Sequence, residues 1–154
     1  MKIIYQEGGQ KMPEMKQFEA IENDFILTAN LRVIGTDVVI SIEGGTHPHV
    51  GAVTMLTASE KLTTHTFPSH DGRRHKDGAL GENVAHILQD VLQGSATITA
   101  GVHFDGISWE GIQVCLELSK KLGMQLRTYL QAYEYGGSAP LYQKLPAKEQ
   151  CSEK

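Results

Sequence analysis

The stretch Phe25-Ile26-Leu27-Thr28-Ala29-Asn30-Leu31-Arg32-Val33-Ile34, continued through Gly35-Thr36 into Asp37-Val38-Val39-Ile40-Ser41-Ile42-Glu43, decides the fold of this 154-residue chain. Successive side chains of an extended strand point to opposite faces. Phe25, Leu27, Ala29, Leu31 and Val33 therefore share one face, and Ile26, Thr28, Asn30, Arg32 and Ile34 share the other. The first set is apolar throughout, the period of a strand with one buried face. Val38, Ile40 and Ile42 alternate in the same way with Val39, Ser41 and Glu43. Only Gly35-Thr36 intervenes, and so short a connection fits an antiparallel hairpin.

Outward from this hairpin, a third strand is expected from about Gly51 to Thr57. A fourth is expected over Lys61 to Phe67, where Thr63, Thr64 and Thr66 supply β-branched residues. The sheet thus begins as a meander. From Leu80 the period changes: Leu80, Val84, Ile87, Leu88, Val91 and Leu92 fall at helical spacing, with Gly94 placed as a C-terminal stop. Ser95 to Phe104 returns to alternation. Ser108 is placed to cap a second helix with Glu110 in its first turn, and Ile112, Cys115, Leu116, Leu122, Leu126 and Leu130 form its apolar stripe. Gly123 is expected to kink or divide that helix. The run Gly136-Gly137-Ser138-Ala139-Pro140 ends regular structure. The reading is a single α+β domain over residues 16–135: an antiparallel β-meander followed by helix, strand and helix, with the helices packed on one face of the sheet. Residues 1–15 read as a flexible N-terminal arm and residues 136–154 as a polar C-terminal tail.

No apolar run approaches the roughly 20 residues that span a bilayer, and the N-terminus has no signal-peptide core, so a cytoplasmic protein without a membrane partner is expected. Cys115 and Cys151 stand at no metal-ligand spacing and in no disulfide framework, and read as plain thiols. A net charge of −4 is the wrong sign for a general nucleic-acid binder. Positive charge is local instead. Phe67-Pro68-Ser69-His70-Asp71-Gly72-Arg73-Arg74-His75-Lys76-Asp77-Gly78 holds two imidazoles, two guanidiniums and an ammonium in turn-forming sequence. Asp77 stands at the N-cap position of the helix to come. Helix N-termini and arginine forks both attract phosphate or carboxylate. The competing reading is a solvated basic loop.

Two further junctions carry imidazoles. Gly44-Gly45-Thr46-His47-Pro48-His49-Val50-Gly51 joins two strands, its glycines permitting close backbone approach to a ligand. Ala100-Gly101-Val102-His103-Phe104-Asp105-Gly106 ends the last strand. These three junctions hold His47, His49, His70, His75 and His103, leaving only His65 and His86 elsewhere. If the junctions meet at one end of the sheet, His49, His75 and His103 surround one ligand or one metal ion. No hydrolytic triad, carboxylate pair or Gly-Lys-Ser/Thr phosphate loop is recognisable, so anion recognition is better supported than a named reaction.

Thr46-His47-Pro48-His49-Val50-Gly51-Ala52-Val53-Thr54, Phe67-Pro68-Ser69-His70-Asp71-Gly72-Arg73 with His75-Lys76-Asp77, and Ile98-Thr99-Ala100-Gly101-Val102-His103 together resemble the prenylated flavin chaperone family, of which the small D subunit of gallate decarboxylase is a member. The resemblance runs from about residue 25 to residue 135. It implies a non-catalytic accessory protein that carries prenylated flavin mononucleotide (prenylated FMN), rather than using it, for a UbiD-type aromatic-acid decarboxylase. The implied partners are the decarboxylase catalytic subunit and a flavin prenyltransferase. On this reading Thr46, His47, His49, Gly51, Ser69, His70, Arg73, Arg74, His75, Lys76 and His103 are the cofactor-binding candidates, with no catalytic residue. Two alternatives remain: a small metal-dependent enzyme ligated by His49, His75 and His103, and a purely structural decarboxylase subunit. Apolar Ile26, Ile34 and Val39 on outward faces lead us to expect a homodimer.

Overall fold

The computed structural model describes residues 15–143. Six strands, β1 (Lys16–Glu22), β2 (Phe25–Ile34), β3 (Asp37–Gly45), β4 (Ala52–Leu56), β5 (Thr63–Thr66) and β6 (Ala96–His103), are joined by two helices, α1 (Gly78–Leu88) and α2 (Trp109–Ala132). They form one sheet in the order β1-β2-β3-β6-β4-β5. The expected alternation holds: Leu27, Ala29, Leu31, Val33, Val38, Ile40 and Ile42 are all buried, while Ile26, Ile34, Val39 and Met55 stay exposed on the face without helices. Both helices pack on the buried face, α1 over β4 and β6 and α2 over β1 and β2. Each fully buried Leu or Ile contributes about 1.5–3 kcal/mol relative to its exposed state.

The α+β class and the one-sided helices are as the sequence implies, but the strand neighbours differ in two ways. The meander is β1-β2-β3, beginning with the strand Lys16–Glu22 that no alternation announced. Strand β4 does not extend it. Strand β6 inserts between β3 and β4, parallel to β3 with Ile40 beside Ile98 and antiparallel to β4 with Thr54 beside Ile98. A parallel neighbour needs a long crossover connection, and β4, β5 and α1 supply it.

Two local expectations are corrected. Helix α1 ends at Leu88 and passes through a single 3-10 turn, Gln89–Val91, well before Gly94. Gly94 lies instead against the β2–β3 turn, where a Cβ would crowd Thr36 and Asp37. Gly123 neither kinks nor divides α2, which is continuous; a Cβ there would lie 2.9 Å from Cδ1 of Ile87, so the glycine lets the two helices approach. Ser108 does cap α2, its hydroxyl accepting from the Gly111 amide at 3.1 Å. The arm expected before residue 16 and most of the tail lie outside the described residues, as does Cys151. Cys115 is buried and unbridged, and burial pushes its thiol pKa up.

Candidate functional site

Strand directions decide where the three histidine-bearing junctions lie. Parallel β3 and β6 end at the same edge of the sheet, where antiparallel β4 begins and β5 ends. The loops leaving β3, β5 and β6 therefore converge on one end, together with the N-termini of α1 and α2. Backbone hydrogen bonds fasten them: His47 N–H to the His103 carbonyl at 3.3 Å, Gly51 N–H to Ala100 at 2.9 Å, and Phe67 N–H to Gly51 at 2.9 Å. Gly101 is what lets the first loop cross β6, since a Cβ there would overlap the His49 carbonyl.

The imidazoles form two clusters. In the inner one, Nε2 of His49 lies 3.1 Å from Nδ1 of His75 and 3.3 Å from Oδ2 of Asp77, and Nδ1 of His75 lies 3.4 Å from the same oxygen. Asp77 is 8% exposed, so this carboxylate is a built feature of the interior. At the N-cap position it makes no side-chain capping bond; its Oδ1 accepts from the Val102 amide at 2.9 Å. In the outer cluster, Asp105 accepts from Nε2 of both His47 and His103 at 3.2 Å. The bond from His47, above that from His103, holds the Asp105 carboxyl below its usual range. Thr46 closes this cluster, its hydroxyl donating to the His103 carbonyl at 3.1 Å and accepting from the Asp105 amide at 3.2 Å.

Between the clusters and α2 lies a cavity of about 400 Å³, whose lining combines polar His49, His75, Asp77, Arg73, Arg74 and Lys76 with apolar Leu80, Val102, Phe104, Ile107, Ile112 and Leu116. A second hollow of about 650 Å³ adjoins it, lined by His47, His70, His103 and Asp105 among others. Apolar lining with convergent polar groups is the usual make-up of a small-molecule site. Ile112 and Leu116 belong to the apolar stripe of α2 yet are only partly buried, because they face this space rather than the sheet.

This arrangement coincides with a family match. Residues 21–131 match the family described as the prenylated flavin chaperone LpdD-like domain. The chain is 41% identical over 128 residues to protein LpdD of Lactiplantibacillus plantarum, covering 83% of this chain and 94% of that one. This chain belongs to the prenylated flavin chaperone LpdD-like family. A chain from the crystal structure of a novel chaperone complex for yeast 20S proteasome assembly has a similar fold, with a TM-score of 0.51 and 8% identity, covering 77% of this chain and 98% of that one. At that identity the likeness is one of fold alone.

In this member of the family, the structure redistributes several residues singled out in the sequence. His49 and His75 meet as expected, but their third companion is Asp77; His103 belongs with His47 and Asp105, because its side chain leaves β6 on the face opposite to the buried one. The Gly51 backbone is bonded within the protein, its N–H donating to Ala100 and its carbonyl accepting from Phe67, both at 2.9 Å. A Cβ there would lie 2.9 Å from Cγ of His75 and nearer still to Asp77, so the missing side chain makes room for the inner cluster itself. Arg73 folds back on its own loop, Nε donating to Asp71 at 2.7 Å; that bond holds the Asp71 carboxyl well below its usual range and raises the guanidinium pKa. Arg74 donates to the Thr66 carbonyl at 2.8 Å, and Ser69 to Asp71 at 2.8 Å. His70 and Lys76 are exposed. Sequence reasoning missed the Asp77 and Asp105 carboxylates as site groups and the apolar lining. Asp105 stands two residues after His103, which was the available signal.

Proposed function

We propose that this protein binds prenylated FMN in the cavity between the histidine junctions and α2 and delivers it to, or matures it in, a UbiD-type aromatic-acid decarboxylase, without catalysing a reaction itself. The carrying observation is a cavity with both polar and apolar lining in a chain of the prenylated flavin chaperone family. Its apolar lining suits an alkylated ring system, and Arg74, Lys76 and the inner imidazoles suit anionic and heteroatom edges through charge-assisted or neutral hydrogen bonds. Thr46, His47, Ser69, His70, Arg73 and His103 complete the rim, with Gly51 acting by making space. Held by hydrogen bonds and burial rather than covalently, the flavin stays releasable, as delivery requires. Among the described residues no helix is long and apolar enough to cross a membrane.

Co-expression with a flavin prenyltransferase, followed by native mass spectrometry and absorbance of the purified protein, tests the reading. One prenylated flavin per chain, transferable to the decarboxylase catalytic subunit, is the expected result. Protein that emerges colourless and without the flavin mass refutes it. The exposed Ile26, Ile34, Val39 and Met55 on the uncovered sheet face lead us to propose a homodimer as well, which light scattering after size exclusion checks.

A further inference from the structure

We propose that His49, His75 and Asp77 form a binding site for one divalent first-row transition-metal ion. The three ligand atoms are separated by 3.1, 3.3 and 3.4 Å. An ion about 2.1 Å from each of three ligands imposes edges of about 3.0 Å in octahedral and about 3.4 Å in tetrahedral geometry. The observed triangle is thus one face of a coordination polyhedron. The donor set of two imidazoles and one carboxylate suits such an ion better than magnesium or calcium, which prefer all-oxygen sites.

Hydrogen bonding orients the His49 ring. Nδ1 of His49 lies 3.0 Å from the His47 carbonyl, to which it must donate, so in the neutral ring Nε2 carries a lone pair. That lone pair faces Oδ2 of Asp77, which is also an acceptor. A proton on Nδ1 of His75 can serve only one of the two well. A cation at the centre satisfies all three. The outer contacts are those of a metal site: the second nitrogen of His49 is fixed by a backbone carbonyl, and the second oxygen of Asp77 by the Val102 amide at 2.9 Å. Gly51 and Gly101 supply the space that a Cβ at either position would take from these groups.

All three ligands border the 400 Å³ cavity, so the remaining coordination positions open toward it. The ion also resolves a conflict of charge, because a buried carboxylate beside an anionic ligand is repulsive, whereas a divalent ion with Asp77 leaves a net positive centre. That last role rests on the flavin reading; the metal site does not.

The test uses the full chain, freed of flavin and stripped with a chelator. Titration with Zn²⁺ by calorimetry and with Co²⁺ by visible absorption should give one ion per chain, and Zn²⁺ should raise the melting temperature reversibly, the rise being abolished by EDTA. His49→Gln, His75→Gln and Asp77→Asn should each weaken binding at least tenfold, with near-ultraviolet circular dichroism reporting on the fold. His65→Ala and His86→Ala should bind as the parent does. No ion bound by the parent at micromolar concentration overturns the proposal, whatever the variants do. So does binding lost in His47→Ala or His103→Ala but kept in His75→Gln. Because the titration contains no flavin, its failure leaves the flavin reading standing, and failure of flavin capture leaves the metal site standing.

Discussion

Replacing Gly51 by Ala tests how the inner cluster is assembled. The added Cβ would lie 2.9 Å from Cγ of His75 and closer to Oδ2 of Asp77, while the backbone of Gly51 is held by hydrogen bonds to Ala100 and Phe67. Neither side can yield cheaply. Overpacking of this kind costs about 1–3 kcal/mol. If Asp77 is pushed off the Val102 amide, a bond to a charged group worth about 1.5–3 kcal/mol is lost as well. The two are coupled, so a total of about 2–4 kcal/mol is expected, or a fall in melting temperature of about 6–15 °C for a domain of this size. Urea denaturation of Gly51→Ala beside Gly136→Ala, which has open space around it, isolates the effect. Retention of prenylated flavin should fall in the first variant and not in the second. A Gly51→Ala protein as stable as the parent, with flavin retention intact, would refute the claim that this glycine exists to admit Asp77 and His75.

Other outcomes are expected. If the basic loop holds the phosphate, Arg74→Ala or Lys76→Ala should weaken FMN binding about 10- to 100-fold, measured by fluorescence quenching, and leave riboflavin affinity unchanged. Arg74→Lys should also be impaired, because an ammonium cannot replace a planar fork; equal affinities throughout would make the loop a solvated surface. Tyr135 carries a buried hydroxyl without a hydrogen-bond partner among the described residues, so Tyr135→Phe should stabilise the domain by about 1 kcal/mol in urea melts. The Asp105 carboxyl is held below its usual range, first by the bond from His47, so its contribution to stability is present above about pH 4 and is lost as pH falls through the lowered folded-state value. Asp105→Asn should therefore be less stable than the parent at neutral pH and converge with it in acid; parallel stability curves would exclude the linkage.

Much of the fold was legible because it is written in local periodicity. The alternation from Phe25 to Ile34 sorts core from surface residue by residue, the shift to helical spacing after Leu80 marks α1, and Ser108 caps α2 as its type and position imply. Strand neighbours were not legible. The same alternation in β6 serves equally at an edge or between β3 and β4, because side-chain period reports which face is buried and carries no information about which backbone donates the next hydrogen bond. Clustered histidines in three junctions were visible, and with the motif resemblance they pointed to the candidate site. Which imidazole meets which carboxylate was not. Asp77 looked like a helix cap because caps are recognised from neighbours in sequence, whereas its carboxylate is used by Val102 and His49, 25 and 28 residues away. Gly51 signalled a close approach without naming what approaches. The chain determined by itself which faces are apolar and which turns carry chemistry, since both depend on residues a few positions apart. Tertiary structure decided the partners of Asp77, Gly51 and β6, because those contacts exist only once distant segments have packed.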